Sequence, residues 1–143
     1  MANWERSERS LGSRWAMANA DEVSEIRTVV QTYLDGLYEG DAAKISSVFH
    51  PASALTSVTD DGKLLVTPRD QWLEKVRARP SPQREGLSRH DQVLAVDVIG
   101  PAMAYVKLNC AIPPRFFTDQ LLLLKVDARW QIAQKVFMTD VRD

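Results

Sequence analysis

Apolar residues recur at three- and four-residue steps in the first half of the chain and alternate with polar ones in the second half. The helical spacing begins after Asp21 and comprises Val23, Ile26, Val30, Tyr33, Leu34 and Leu37. Residues spaced in this way lie on one stripe of an amphipathic helix. Asp21 is a candidate N-cap, and Gly40 suits the left-handed residue that follows a helix. The pattern therefore predicts a first helix that begins at residue 21 and ends before Gly40.

A short second helix and a hairpin are predicted next. Asp41 can cap this helix, and His50-Pro51 should end it, because the residue before a proline is disfavoured in the helical region. Strand-like runs at 55–58 and 63–66 flank Asp60-Asp61-Gly62. Asp-Gly is a favoured core of two-residue hairpin turns, so we expect a tight turn here.

A third helix is predicted after the hairpin. Thr67 can cap it, Pro68 suits its first position, and Asp70 lies near a capping-box position. Its buried stripe is predicted to comprise Trp72, Leu73 and Val76. Pro80-Ser81-Pro82 should end the helix and begin a polar loop.

Four long strand-like runs follow, at about 88–99, 102–112, 116–126 and 129–138. Helices followed by strands indicate an α+β fold with the helices on one sheet face. We expect a strongly curved, antiparallel or mixed sheet. Residues 1–20 show no clear period before the helical stripe, so we interpret them as an N-terminal extension outside a single domain at 21–143.

Composition narrows the range of functions. With 143 residues, 45% hydrophobic and 26% charged, the chain is typical of a globular domain. A net charge of −1 disfavours a general nucleic-acid binder. The single Cys110 excludes an intrachain disulfide, no Cys/His spacing indicates a metal site, and no apolar run reaches membrane-span length. We therefore expect a cytoplasmic protein without metal or cofactor.

Several segments resemble the nuclear transport factor 2 superfamily, which includes ketosteroid isomerase-like and SnoaL-like proteins. They are Val29-Val30-Gln31-Thr32-Tyr33, Gly40-Asp41, Phe49-His50-Pro51 and a final hairpin with Trp130-Gln131-Ile132. Phe117-Thr118-Asp119 and Lys135-Val136-Phe137 are most similar to the bacterial lumazine-binding group. The resemblance implies a cone-shaped α+β barrel that encloses an apolar pocket. Ala128 departs from the glycine usual in the last turn, which suggests a different turn type.

Strand alternation indicates which residues of the 117–123 run face this pocket. Phe117, Asp119, Leu121 and Leu123 share one face, and Asp119 is its only polar member. Desolvation among apolar neighbours disfavours a charged carboxylate, so we expect Asp119 to titrate above an ordinary aspartate. Tyr33 lies on the stripe of the first helix and can reach the same place.

The resemblance implies a role for this pair, because ketosteroid isomerase stabilises an enolate oxygen with a tyrosine and a neutral carboxylic acid. Tyr33 and Asp119 match those two positions. The general base of that enzyme falls on Ser57, which is no proton acceptor at neutral pH. The isomerase reaction is therefore not implied, although Asp60 and Asp61 lie nearby. The alternative for Tyr33 and Asp119 is that they hydrogen-bond each other as core polar groups.

Other residues are candidates for catalysis or ligand binding, and each also has a simpler structural role. His50 could be a base at the pocket mouth or a helix-end cap, and Cys110 has no neighbour in sequence that would activate it. The expected ligand-binding residues are Tyr33, Phe49, Trp72, Phe117, Asp119, Leu121 and Gln134. A basic cluster around the 80–86 loop is either a solvated edge or a mouth for an anionic ligand; it comprises Lys75, Arg77, Arg79, Arg84 and Arg89.

Three functions remain open. The first is a binding domain for a small apolar or aromatic ligand with one carbonyl-like acceptor at Tyr33 and Asp119. The second is an isomerase, dehydratase or cyclase acting on a hydrophobic carbonyl compound, with Tyr33, Asp119 and His50 as candidate catalytic residues. The third is an interaction domain with a vestigial cavity. Mixed outer strand faces, such as Gln120, Leu122 and Leu124, also predict a homodimer through the sheet.

Overall fold

A computed structural model describes residues 2–142, with side chains described from Ala20 onward. The helices are α1 (Ala2–Glu39), α2 (Ala42–Val48) and α3 (Arg69–Ala78). The strands are β1 (Phe49–Val58), β2 (Leu64–Pro68), β3 (Gln92–Gly100), β4 (Met103–Ile112), β5 (Arg115–Val126) and β6 (Arg129–Val141). The predicted α+β architecture, with three helices before a sheet, is confirmed.

Helix α1 is longer than the apolar stripe predicts. It begins at Ala2, so Asp21 lies within the helix and is not its N-cap. The segment before Asp21 contains no proline and has four Ala, three Arg and two Glu residues, which favour helix without an apolar period. The packing of side chains 1–19 lies outside the described residues, so the predicted extension remains a prediction.

The ends of the helices follow the capping residues in two places and differ in two. Gly40 has φ 69°, and the Asp41 carboxylate accepts from the Lys44 N–H at 3.1 Å, both as predicted. Helix α2 ends at Val48, and His50-Pro51 lies within β1. Thr67 is not a helix cap, because it lies in β2 and pairs with Leu55 of β1. Helix α3 begins after Pro68 without a side-chain cap.

The sheet is open and mixed, in the order β2-β1-β6-β5-β4-β3. Every neighbouring pair is antiparallel except β1 and β6, which run parallel. Of the two expected forms of the sheet, antiparallel or mixed, the structure has the mixed one. The single parallel pair joins β1 to β6, after the chain has crossed from β2 through α3 to the later strands.

Two turns differ from their predicted types. The β1–β2 hairpin has a longer loop than two residues, closed by the Thr59 N–H to Lys63 carbonyl bond at 2.8 Å. The β5–β6 turn is a tight two-residue turn in which Asp127 and Ala128 have φ 50° and 63°. Both central residues at positive φ are typical of a type I′ turn. Ala128 therefore occupies the left-handed conformation that favours glycine.

The core lies between the helices and one face of the sheet. The predicted stripe of α1 is buried from Ile26 to Leu37, and α3 buries Trp72, Leu73 and Val76 as predicted. From the sheet, Leu121 and Leu123 of β5 are fully buried, whereas Gln120 and Leu122 are exposed. The predicted register of β5 is thus confirmed, and Asp119 faces the core.

Candidate ligand-binding site

Tyr33 and Asp119 meet in the centre of the core. Each is fully buried, and the Tyr33 hydroxyl donates to Asp119 Oδ2 at 2.6 Å. Helix α1 presents the phenol and β5 presents the carboxylate. Burial raises the pKa of Tyr33 well above its usual value, and the charge of Asp119 raises it further. The phenol is therefore a donor that keeps its proton at neutral pH.

A third polar residue, Lys135 of β6, completes this cluster. Its Nζ donates to the Tyr33 hydroxyl oxygen at 2.8 Å and lies 3.5 Å from Asp119 Oδ2. Lys135 is only 5% exposed. The Tyr33–Asp119–Lys135 cluster thus contains a buried pair of oppositely charged groups bridged by a phenol.

The sequence pattern does not place Lys135 in the core, because β6 contains a bulge. Trp130 and Ile132 are buried, and strict alternation would place Gln134 beside them. The register shifts around Ala133, so that Gln134 pairs with the exposed Leu122 and Lys135 pairs with the buried Leu121. A β-bulge inserts one residue and reverses the faces of those that follow. The expectation that Gln134 is in step with Ile132 is wrong; its amide donates to Thr56 Oγ1 at 2.6 Å.

Aromatic rings surround the ammonium group of Lys135. Its Nζ lies 4.9 Å from the ring centroid of Trp72, 4.7 Å from that of Phe137 and 5.2 Å from that of Tyr33. Phe49 packs against both Tyr33 and Trp72, with ring centroids 5.3 and 5.1 Å apart. Such faces attract a cation and exclude water from it. The environment is apolar except for the cluster itself.

One acceptor in the cluster is unsatisfied. Asp119 Oδ1 is buried and has no hydrogen-bond partner among the described residues. The Cys110 thiol lies 3.8 Å from the other oxygen, Oδ2. Burial raises the pKa of Cys110, so this thiol stays protonated and is not an activated nucleophile. A buried unpaired carboxylate oxygen is costly and calls for an explanation.

The remaining predicted site residues divide between the cluster and other places. Phe49, Trp72 and Leu121 are buried around it, and Phe117 is half-buried against Phe137 with ring centroids 6.1 Å apart. His50 instead lines a separate cavity of about 210 Å³ with Ser53 and Gln131. Its Nδ1 accepts from the Ala52 N–H at 3.0 Å.

The basic cluster near the 80–86 loop is partly neutralised within the chain. Arg77 pairs with Glu74 at 2.6 Å, and Arg89 pairs with both Asp35 and Asp91. These pairs favour the solvated-edge interpretation for Arg77 and Arg89. Arg79 is half-buried, and desolvation lowers the pKa of its guanidinium.

Among the described side chains, no group of three or more His, Cys, Asp or Glu residues is arranged to hold a metal ion. Within the same part of the chain, no helix combines the length and apolarity needed to cross a membrane.

The sequence matches the family model described as "Putative lumazine-binding" over residues 21–138, and the chain belongs to this family. A search of curated proteins gave no significant match. Among solved structures, the chain is similar to a nuclear transport factor 2-like protein of unknown function from Shewanella baltica. The TM-score is 0.77 and the identity 23%, over 86% of this chain and 97% of that one.

Two other similar structures carry names that suggest enzymes. A ketosteroid isomerase-like protein from Erwinia carotovora atroseptica has a TM-score of 0.65 and 16% identity, over 85% of this chain and 98% of that one. A protein described as a putative scytalone dehydratase from Novosphingobium aromaticivorans has a TM-score of 0.63 and 16% identity, over 90% and 92%. These likenesses show the nuclear transport factor 2-like fold that the sequence predicted.

Proposed function

We propose that the chain is a binding domain for a small, mostly aromatic ligand that contacts the Tyr33–Asp119–Lys135 cluster. The observation that carries this proposal is the buried, unpaired Oδ1 of Asp119, whose other oxygen lies 3.5 Å from the Lys135 ammonium. Buried polar atoms are normally paired, so an unpaired acceptor in an aromatic-walled cluster favours a ligand donor as its partner. The family description supports the same class of function.

The cluster suggests which atoms such a ligand presents. The Tyr33 hydroxyl already donates its proton to Asp119. Lys135 has three N–H bonds and donates one of them to Tyr33, so it is the donor available for a ligand carbonyl. Asp119 Oδ1 can accept a ligand N–H. A flat heterocycle with adjacent N–H and C=O groups, as in lumazine, matches this pair, and the rings of Trp72 and Phe49 suit its faces.

A ligand screen by thermal shift tests this proposal. Lumazines, flavins and steroid enones are compared at equal concentration, and we expect lumazines to raise the melting temperature of the wild type most. Lumazine methylated at the ring N–H next to a carbonyl should give a smaller shift, because it lacks the donor for Asp119. An equal shift from the methylated compound would refute the proposed contact.

The second candidate function is an isomerase, dehydratase or cyclase. The chain of hydrogen bonds from Lys135 through Tyr33 to Asp119 can carry a proton, which favours this alternative. Ser57 stands where the resemblance would require a carboxylate base, and His50 lines a different cavity. We therefore expect negligible isomerisation of a steroid enone, and rapid turnover would promote His50, Asp60 or Asp61 to candidate base.

We also propose a homodimer through the outer sheet face. Leu122, Leu124, Val136 and Met138 are each at least 41% exposed on β5 and β6, and Met103 is similarly exposed on β4. A contiguous apolar face of this kind marks an interface. Leu122→Glu should shift light scattering from a dimer to about half that mass, whereas Ile99→Glu, on the edge strand β3, should not. A monomeric wild type would contradict the proposal.

The proposed location is the cytoplasm. Cys110 is a free, buried thiol, which suits a reducing compartment.

A further inference from the structure

Lys135 has the surroundings of a reactive amine. Its Nζ is buried beside a phenol and a carboxylate, and three rings keep water away from it. The other five lysines differ: Lys44 and Lys125 pair with glutamates, Lys63 and Lys75 are exposed, and Lys107 is partly exposed on β4, on the face opposite the buried Val106 and Leu108.

The cluster can remove the charge of Lys135 without releasing a proton to solvent. The ammonium donates to Tyr33 at 2.8 Å, and Tyr33 donates to Asp119 Oδ2 at 2.6 Å. If each donor passes its proton along its own hydrogen bond, Lys135 becomes a neutral amine, Tyr33 remains a phenol and Asp119 becomes a carboxylic acid. The two hydrogen bonds therefore give the Lys135 proton a direct path to the carboxylate inside the buried cluster, which no surface lysine has.

We propose that Lys135 captures small aldehydes or ketones as a covalent imine. The neutral Nζ attacks the carbonyl carbon and forms the C–N bond, the C=O π pair moves onto the oxygen, and this oxygen takes up one proton from the nitrogen to give a carbinolamine. The carbinolamine hydroxyl then leaves as water with the proton held by Asp119, and a protonated imine remains on Lys135. One carbonyl compound and one ammonium thus give one iminium and one water, with Asp119 returned to its carboxylate and no oxidant or reductant required.

The unpaired oxygen of Asp119 suits this reaction. Oδ2 is engaged with Tyr33, whereas Oδ1 has no partner among the described residues. A carbinolamine hydroxyl formed at Nζ lies next to this carboxyl group and can hydrogen-bond to Oδ1. The neutral carboxyl group can donate its proton from Oδ2, which lies 3.5 Å from Nζ, to the hydroxyl that leaves as water, while Oδ1 accepts a hydrogen bond from the same hydroxyl.

Of the three rings around the amine, Phe137 is the one that is only half-buried, so the proposed approach of a carbonyl compound to Nζ is on its side. Its ring centroid is 4.7 Å from Lys135 Nζ, and Phe137 also lines a surface cavity of about 370 Å³ next to the β1–β2 hairpin. Val136 and Met138, its neighbours in β6, line the same cavity from the exposed face of the sheet.

Reductive trapping tests the proposal. The full chain is incubated near neutral pH with propanal and sodium cyanoborohydride, and peptide mass spectrometry locates the added propyl groups over time. We expect Lys135 to be labelled at least about tenfold faster than the exposed Lys63 and Lys75, a difference of roughly 1.4 kcal/mol in barrier. Labelling of Lys135 no faster than that of Lys63 and Lys75 would overturn the proposal, and this comparison needs only the wild type.

A variant distinguishes the relay from simple accessibility. Tyr33→Phe removes the phenol between Lys135 and Asp119, so labelling of Lys135 should fall about tenfold while Lys63 is unchanged. Undiminished labelling in folded Tyr33→Phe would overturn the relay. The inference rests on the proposed function only in that a ligand must reach the cluster. Lumazine binding without labelling of Lys135 refutes the imine alone, whereas labelling without lumazine binding refutes the proposed ligand and leaves the imine standing.

Discussion

Lys135 Nζ donates to the Tyr33 hydroxyl oxygen at 2.8 Å, across 102 residues of sequence, and so joins the last strand to the first helix. The same hydroxyl donates to Asp119 on β5. Three separate elements are thus held by one chain of two buried hydrogen bonds. Because both bonds share a single oxygen, the phenol of Tyr33 is the group on which this connection depends.

Tyr33→Phe tests the contribution of that phenol to stability. It leaves Lys135 without its acceptor and Asp119 Oδ2 without its donor, each in a buried setting. We expect the free energy of unfolding, measured in urea, to fall by about 1–3 kcal/mol. Tyr105→Phe, on the outer face of β4, is the matched control and should change it by less than about 0.5 kcal/mol. Equal effects of the two substitutions would contradict the assigned role.

A double-mutant cycle tests the buried ion pair. Lys135→Met or Asp119→Leu alone leaves one charged group buried without its partner, which typically costs about 3–5 kcal/mol. The double variant removes both charges, so its loss of stability should be smaller than that of either single variant. Denaturant unfolding of all four proteins gives the coupling energy. Additive losses would show that the two charges are not paired.

Ala128→Gly should stabilise the protein. Ala128 has φ 63° in the β5–β6 turn, and this conformation costs a residue with a Cβ about 1–2 kcal/mol. Glycine gains greater freedom in the unfolded chain, which offsets roughly half of this, so we expect a net gain of about 0.5–1 kcal/mol. Ala102→Gly, in the β3–β4 turn at ordinary φ, is the control and should be neutral or destabilising. A loss of stability in Ala128→Gly would contradict the turn geometry.

Acid should weaken the contact between α1 and the last hairpin. Glu22 accepts from Lys125 at 2.9 Å and from the Trp130 indole. Burial alone would raise the pKa of Glu22, but these two hydrogen bonds hold its pKa below the usual 4.5. A carboxylate with a lowered folded pKa stabilises the protein above its unfolded pKa, and this contribution disappears as the pH falls through the folded pKa.

Unfolding measured against pH checks this contact. The difference in free energy of unfolding between wild type and Glu22→Gln should be constant near neutral pH. It should shrink as the pH falls from about 5 towards 3. Glu25→Gln, at an exposed position one turn along α1, should show no comparable difference. A gap between wild type and Glu22→Gln that persists unchanged in acid would contradict the contact.

Periodicity predicted most of the fold because burial repeats regularly along its helices and strands. The stripes of α1 and α3 and the alternation of β5 placed Tyr33, Trp72 and Asp119 correctly. Alternation failed in β6 because one bulged residue near Ala133 reverses the faces beyond it, and this reversal brings Lys135 into the core. No turn residue or proline in the sequence predicts the bulge. The one available signal was Lys135 itself, a lysine next to the apolar strand residues Val136 and Phe137.

The alternation of apolar and polar residues within a strand also could not predict that β1 pairs with β6 in parallel. A strand's own sequence indicates which face is buried, but its partner is decided by how α3 and the later strands are arranged around the core. The start of α1 shows a related limit. Helix-favouring residues extend α1 to Ala2, although this segment has no apolar stripe that would predict a helix.

Calorimetric titration of lumazine tests the binding role of the cluster most directly. The wild type, the Asp119→Leu/Lys135→Met double variant and a Lys63→Met surface control are titrated under the same conditions. We predict saturable binding by the wild type and by Lys63→Met, and a loss of about 1–3 kcal/mol in binding free energy for the double variant, because it lacks both the acceptor and the donor for the ligand edge. Absence of binding to the wild type, or equal affinity in the folded double variant, would contradict a ligand site at Tyr33, Asp119 and Lys135.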